Sequence, residues 1–140
     1  MSTIVRIAAV AAAVLLSVLS VGVANAATPA GLPTCQGSTF ISVVNEHNTE
    51  VPSTFDNTLN EDCLMSLGSF GHGVIALQDT LNNCYPGNNL TEDSNFGPLT
   101  RQALENAQRT EHITADGVYG PQTRDHLLWW DFRNIACARF

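Results

Sequence analysis

The sequence contains no lysine, and its six basic residues are all arginines. They are outnumbered by 13 acidic residues, which gives a formal net charge of −7 over 140 residues. A chain this acidic is repelled by the phosphates of nucleic acids and by anionic membrane surfaces. We therefore expect neither nucleic acid nor a membrane surface as a partner, while the charge does not disfavour an uncharged sugar ligand.

Familiar catalytic motifs are also missing. The sequence contains neither His-Glu-x-x-His, which binds zinc on a helix, nor Gly-x-Ser-x-Gly, which presents a nucleophilic serine. Glycosidases need two positioned carboxylates, but the adjacent pairs Glu61-Asp62 and Glu92-Asp93 lie in polar stretches typical of solvated charges. A zinc site of His72, His112 and an aspartate is an open alternative. We predict no catalytic residue, no metal site and no cofactor.

The first 26 residues have the pattern of a secretory signal peptide. Arg6 is the only charge among the first 45 residues. An apolar run from Ile7 to about Val23 follows it, and Ala24-Asn25-Ala26 is a small-x-small cleavage site. The alternative is an uncleaved anchor, but a membrane-spanning helix needs ~20 apolar residues and this run is short. We expect cleavage after Ala26, no membrane attachment afterwards, and an exported monomer of 114 residues, long enough for one domain.

Four cysteines remain after this cleavage: Cys35, Cys63, Cys84 and Cys137. An even number in a small exported chain indicates two disulfides, for which three pairings are possible. Successive cysteines are 28, 21 and 53 positions apart, so the close Cys-x-x-Cys pairs of a zinc site are absent. We favour Cys35–Cys63, which closes an N-terminal segment, and Cys84–Cys137, which ties the end of a helix to the C-terminal segment.

The exported part begins with a segment rich in proline and glycine, residues 27–37, which we interpret as a linker. Residues 39–44 are β-branched and aromatic and predict a strand. Residues 51–55 predict a returning strand, which Pro52 confines to a sheet edge. We therefore predict a disulfide-closed extension with a small β-hairpin over residues 38–68.

A motif of twelve residues occurs twice. Residues 93–104 read DSNFGPLTRQAL and residues 116–127 read DGVYGPQTRDHL, with six identical positions at a constant offset of 23. Proline at the first position of a helix loses no hydrogen bond, and a glycine before it permits a tight turn. Pro98 and Pro121 therefore predict helix starts. We interpret the motif as an internal repeat whose glycines, prolines and aspartates are explained by folding alone.

Three amphipathic helices follow from the spacing of the buried positions. One face of each is formed by residues at i, i+3, i+4 and i+7: Val74, Leu77, Gln78 and Leu81; Thr100, Ala103, Leu104 and Ala107; and Thr123, His126, Leu127 and Trp130. We predict helices at 72–84, 98–109 and 121–131, which share one core within a domain of residues 69–140.

These residues resemble the bacterial peptidoglycan-binding domain family, a small three-helix module often attached to cell-wall hydrolases. The matching stretches are Gly71 to Val74 with Leu77-Gln78 and Leu81, Phe96 to Thr100 with Ala103-Leu104, and Asp116 to Thr123. The chain departs from the family pattern at Ser94, which replaces a glycine, at Ala107, which replaces an aromatic residue, and in a long loop at 86–92. The resemblance implies a mainly α fold: a compact three-helix unit with a small N-terminal β-hairpin extension.

The resemblance also implies a function, namely binding of bacterial cell-wall peptidoglycan, through its glycan strand or its peptide stems, without catalysis. Carboxylates of the peptide stems favour arginines near helix starts, which makes Arg101 and Arg124 candidate ligand-binding residues. Tyr85, Tyr119 and Trp129 are candidates for stacking on sugar rings, against the simpler interpretation that they pack in the core. Two alternatives stay open: a secreted cell-wall hydrolase or peptidase with an unrecognised site, and an inhibitor or accessory interaction module of a wall enzyme.

Overall fold

The computed structural model describes residues 31–43, 47–55 and 59–139. The expected signal peptide, residues 1–26, lies outside the described residues, as does the first part of the expected linker. In chain order the elements are β1 (Gly37–Val43), β2 (His47–Ser53), α1 (His72–Cys84), α2 (Pro98–Thr110), α3 (Pro121–His126), β3 (Trp129–Asp131) and β4 (Ala136–Ala138).

The strands form one antiparallel sheet in the order β1-β2-β3-β4. β1 and β2 pair over their full lengths, from Gly37 opposite Ser53 onward. β3 joins the other edge of β2, with Thr49 opposite Asp131, and then pairs with β4. The predicted fold class, a mainly α three-helix unit with a separate hairpin, is therefore wrong. The described chain is α+β, because its C-terminal residues extend the hairpin into a four-stranded sheet.

The third helix is shorter than the predicted span of 121–131. It ends at His126, because Leu127 adopts an extended backbone with ψ of 149°. Trp129 and Trp130 then lie in β3, where alternate side chains point to opposite faces. Trp129 is fully buried and Trp130 is half-buried. The assignment of Trp130 to the buried face of α3 was thus wrong, since aromatic residues suit a strand as well as a helix.

The other two helices lie close to their predicted positions. α1 spans the predicted residues, α2 is one residue longer, and Pro98 and Pro121 are the first residues of α2 and α3. Gly71 precedes α1 with φ of 128°, and a Cβ there would approach the carbonyl oxygen of Gln36 to 2.4 Å. The N-terminus of α1 therefore packs directly against the segment that leads into β1.

Both disulfides have the pairing that we favoured from the sequence. Cys35–Cys63 is fully buried, and the backbone of Cys35 donates to the carbonyl of Leu64 at 3.0 Å. Cys84–Cys137 joins the last residue of α1 to β4. Residues 33–36 thus pair with the rest of the molecule although they belong to the expected linker. The division at residue 68 stays a prediction, and the pairing of β2 with β3 crosses it.

α1 contacts both the sheet and α2, and it therefore occupies the centre of the core. Its buried apolar residues pack with the aromatic residues that precede α2 and α3 and with the first tryptophan of β3. The largest fully buried apolar side chains include Leu77, Leu81, Phe96, Leu104, Tyr119, Leu127 and Trp129. This core holds the two copies of the repeated motif in fixed positions.

Candidate functional site

The first copy of the repeated motif is built around a buried glutamine on α1. Nε2 of Gln78 lies within hydrogen-bond distance of three acceptors: Oδ1 of Asp93 at 3.0 Å, the carbonyl of Asn95 at 3.1 Å and Oγ1 of Thr100 at 3.1 Å. Oδ1 of Asp93 also accepts from the backbone of Asn95 at 2.9 Å. These bonds lower the pKa of the Asp93 carboxyl, with the bond from Gln78 as the largest cause.

The second copy repeats this cluster with a glutamine on α2. Nε2 of Gln108 faces the three corresponding acceptors: Oδ1 of Asp116 at 3.1 Å, the carbonyl of Val118 at 3.0 Å and Oγ1 of Thr123 at 3.1 Å. In both copies the aspartate and the threonine thus fix the turn that leads into the next helix. These two polar residues of the motif are therefore used for folding.

The two clusters differ at the residue that follows the aspartate. The N–H of Gly117 donates to Oε1 of Gln108 at 2.9 Å. Oε1 of Gln78 is buried and has no hydrogen-bond partner among the described residues. Ser94 occupies the position of Gly117, and both have left-handed backbones with φ of 62° and 68°. The first cluster therefore lacks one hydrogen bond that the second cluster has. Its Ser94 also adopts a backbone conformation that residues with a side chain disfavour.

Two of the predicted ligand residues are fully buried aromatic side chains. Tyr119 and Trp129 have 0% exposure. Their rings meet edge to face at a centroid distance of 6.1 Å, and Nε1 of Trp129 donates to the carbonyl of Arg124 at 2.9 Å. Burial raises the pKa of the Tyr119 hydroxyl. Stacking on a sugar needs an exposed ring face, which neither side chain offers in this structure.

Tyr85 lies where the end of α1, the end of α2 and the C-terminal strands meet. Its hydroxyl accepts from the backbone of Leu128 at 2.8 Å and donates to Oε1 of Glu111 at 2.9 Å. The other carboxylate oxygen of Glu111 pairs with Arg139. Burial raises the pKa of the Tyr85 hydroxyl, so it keeps its proton and this bond at neutral pH.

The two predicted arginines lie in separate ion pairs. Arg101 pairs with Glu105 at 3.0 Å, and half of its side chain is exposed. Arg124 pairs with Asp62 at 2.7 Å and with Asp125 at 2.8 Å, and only 15% of its side chain is exposed. The charge of Arg124 is therefore already balanced by two carboxylates. Of the two, Arg101 has the more accessible guanidinium, and its role in binding stays a prediction.

A groove runs along α2, between this helix and the segment that follows α1. One part has a volume of about 350 Å³ and includes Tyr85, Asn88, Asn106, Ala107 and Glu111 in its lining. A second depression shares Asn88 and Asn106 with this part. A third shares Leu90 and Leu99 with the second, so the three form one groove along the helix. We call this surface the α2 groove; its walls are residues 87–91 and the α2 residues Leu99, Gln102, Ala103, Asn106 and Thr110.

Two sequence features create the α2 groove. The glutamine and the aspartate of each cluster are 15 positions apart in the first copy and eight in the second. The additional residues comprise the last turn of α1 and a longer loop, which forms one wall. Ala107 is small and fully buried. The family that this chain resembles often has an aromatic residue at this position. A larger side chain there would take up space beside Tyr85.

Sequence reasoning misses Asn88, Gln102 and Asn106 as functional candidates, since uncharged amides carry no recognisable motif. Two signals point to them. One is the unequal spacing within the two copies of the repeat. The other is the pair Gln102 and Asn106, which lie one helical turn apart on the exposed face of α2. Of the five predicted ligand residues, Tyr85 contributes to the groove lining.

The described ranges contain neither a metal-binding cluster nor a membrane-spanning helix. Residues 31–43, 47–55 and 59–139 contain no group of three His, Cys, Asp or Glu side chains placed to hold a metal ion. Within the same ranges, no helix combines the length and the apolar composition that crossing a membrane requires.

Comparison with known proteins places this geometry in a family. Residues 71–127 match the family model described as "Putative peptidoglycan binding domain". The chain is also similar to the crystal structure of the SleB N-terminal domain, with 33% sequence identity and a TM-score of 0.41. The similar region covers 45% of this chain and 85% of the SleB domain. No curated protein matches the chain. The matched residues include α1, α2, α3 and both glutamine clusters.

Proposed function

Since the chain belongs, through residues 71–127, to the peptidoglycan-binding domain family, we propose that it is an exported, non-catalytic protein that binds bacterial cell-wall peptidoglycan in the α2 groove. The observation that carries this proposal is the groove itself. It lies within the matched residues, apart from Leu128 at one end, and uncharged polar side chains and small apolar ones form most of its walls. Concave sites of this volume hold small ligands or single units of a polymer.

The state of the carboxylates near the groove supports binding without hydrolysis. A glycosidase needs one carboxyl group whose pKa is raised, so that it can donate a proton. Asp93 has a lowered pKa because Gln78 and the backbone of Asn95 bond its carboxylate. Glu111 is held by Tyr85 and Arg139, and 4% of its side chain is exposed. Both carboxylates therefore have structural partners.

Export is supported by the two disulfides, which form and persist in oxidising compartments. It also agrees with the signal-peptide pattern of residues 1–26, which lie outside the described part of the chain. We propose that the exported protein acts as a monomer and associates with the cell wall through its ligand.

Co-sedimentation with purified insoluble sacculi tests the proposed function. We expect the oxidised protein, residues 27–140, to pellet with sacculi and to stay in solution without them, both with and without teichoic acids. The turbidity of the suspension should stay constant. Absence of retention at low salt would refute binding. A fall in turbidity that a carboxylate substitution abolishes would instead identify a hydrolase.

A protein-interaction role is the second candidate, because the sheet carries exposed aromatic residues. Phe40 on β1 is 62% exposed and Phe132 after β3 is 49% exposed, and their rings meet edge to face at 5.9 Å. Exposed apolar surface of this kind is typical of interfaces. A failure of sacculus binding together with stable association with a purified wall enzyme would favour this role.

A further inference from the structure

The α2 wall of the groove presents amide groups that the protein does not use. Gln102 and Asn106 are exposed and lie about 6 Å apart along the helix, which is one turn. Oδ1 of Asn106 accepts from Nη1 of Arg109 at 2.8 Å. The Nδ2 group of Asn106 has no partner among the described residues, and neither has the side-chain amide of Gln102. This wall therefore offers hydrogen-bond donors to a ligand.

The opposite wall offers an acceptor. Nδ2 of Asn88 donates to the carbonyl of Leu81 at 3.0 Å and to the carbonyl of Tyr85 at 3.1 Å. These two bonds use both hydrogens of the amide and hold the side chain in place. The Oδ1 atom of Asn88 is then left to accept a hydrogen bond. Asn88 and Asn106 both line the part of the groove with a volume of about 350 Å³.

An amide bonded to a sugar is complementary to this pair. An acetamido group has one N–H, which Asn88 can accept, and one carbonyl, to which Asn106 can donate. Its methyl group needs an apolar contact, and Ala107 and Leu128 line the same part of the groove. The small side chain of Ala107 leaves the space that this group requires.

The charges of the groove disfavour the peptide stems. Among the described lining residues none is an arginine, and the two charged ones are the carboxylates Asp93 and Glu111. Arg139 is already paired with Glu111, so the described lining offers a carboxylate of a peptide stem no unpaired cation, and an uncompensated charge is costly near a partly enclosed surface. An uncharged glycan meets no such penalty.

We propose that the α2 groove recognises the glycan strand of N-acetylated amino sugars, with one acetamido group between Asn88 and Asn106. This inference rests on the proposed function and adds the part of the polymer that is bound. The geometry assigns Asn106 and Gln102 to ligand binding and leaves the aspartate, glycine, proline and threonine of the repeated motif to folding.

NMR titration of the ¹⁵N-labelled oxidised protein tests the inference, with sacculus co-sedimentation run on the same sample. The probes are a soluble N-acetylglucosamine tetrasaccharide, a glucose tetrasaccharide of the same linkage without acetamido groups, and a soluble stem peptide. We expect the acetylated sugar alone to shift the signals of residues 87–90 and 99–110. Asn106→Ala should weaken this binding roughly 3- to 10-fold, which corresponds to one lost hydrogen bond.

Gln122→Ala is the matched control, since Gln122 is an exposed amide residue on α3 outside the groove lining. It should leave the affinity unchanged. Retention by sacculi without any shift from the acetylated sugar, or with equal shifts from the glucose oligomer or the stem peptide, would overturn the inference and leave the proposed function standing. Absence of retention by sacculi would overturn both.

Discussion

Ser94 and Gly117 occupy the same place in the two copies of the repeat, and both have a left-handed backbone. Glycine adopts this conformation without steric cost, whereas a residue with a Cβ is strained by about 1–2 kcal/mol. The glycine copy also completes the bond from its N–H to Oε1 of the central glutamine. The corresponding oxygen of Gln78 has no partner among the described residues. The first copy is therefore the locally strained one.

Two single substitutions, each of which introduces the residue of the other copy, should change stability in opposite directions. We expect Ser94→Gly to raise the free energy of unfolding by about 0.5–1 kcal/mol, since the relief of strain exceeds the added entropy of the unfolded chain. Gly117→Ser should lower it by about 1 kcal/mol or more, because the new Cβ would lie 2.7 Å from Cγ of Arg101. Denaturant unfolding measures both. A destabilising Ser94→Gly would contradict this explanation.

The central glutamines should tolerate no change of charge. Gln108→Glu keeps the shape of the side chain but removes its N–H donors and places a carboxylate beside Asp116. We expect a loss of at least about 2 kcal/mol in the free energy of unfolding at neutral pH. Gln102→Glu, on the exposed face of the same helix, is the control and should change stability little. Equal effects of the two substitutions would show that the cluster does not hold the fold.

Asp93 and Asp79 should give opposite pH dependence. The pKa of Asp93 is lowered, mainly by the bond from Gln78, so its stabilising contribution is present above its unfolded pKa and is lost as pH falls through the folded one. The pKa of Asp79 is raised by burial and by Glu92 and Glu50, so its charged form destabilises the fold and acid relieves this.

The corresponding measurement is the melting temperature of two variants from about pH 6 to about pH 2.5. Asp93→Asn should lower the melting temperature at pH 6 and lose this effect on acidification. Asp79→Asn should raise it at pH 6, with a gain that also disappears on acidification. The same sign for both variants at pH 6 would contradict the assignments.

At the scale of elements, local sequence patterns predicted helices and strands correctly only where tertiary packing favours the same secondary structure. The spacing of apolar residues located α1 and α2, and proline located the first residues of α2 and α3. The strands β3 and β4 are three residues each, too short for periodicity to separate them from a helix. Their pairing with β2 depends on contacts between distant residues. The continuation of α3 was therefore predicted wrongly, and Trp129, a candidate for sugar stacking in the sequence, is fully buried instead.

The disulfide Cys84–Cys137 joins the end of α1, directly before the segment that forms one groove wall, to the last strand. Replacing both cysteines by serine should lower the free energy of unfolding by about 2–4 kcal/mol. We also expect faster amide hydrogen exchange in β3, in β4 and in the segment 85–90, because the tie between them is lost. Exchange within α2 should change less. An unchanged exchange pattern in 85–90 would show that other contacts, such as those of Tyr85, hold this wall.

At the scale of the whole molecule, the α2 groove depends on three parts of the chain that are distant in sequence. α2 forms one wall, the segment after α1 forms the other, and Leu128 and Arg139 fix Tyr85 and Glu111 at one end. Motif reasoning pointed instead to charged and aromatic residues. Those residues proved to be ion-paired or buried, because the same chemistry that suits a ligand also suits a core. The departure at Ala107, the long loop and the spacing of Gln102 and Asn106 carried information on the groove.

The α2 groove is the site at which we propose that peptidoglycan binds. The most direct measurement is a two-dimensional NMR titration of the exported protein with soluble peptidoglycan fragments that carry both glycan and peptide stems. We predict saturable shifts that cluster at residues 87–91 and along α2 from residue 99 to residue 110. Shifts that cluster instead around Arg124 or on the sheet near Phe40, or no shifts at all, would contradict the claim.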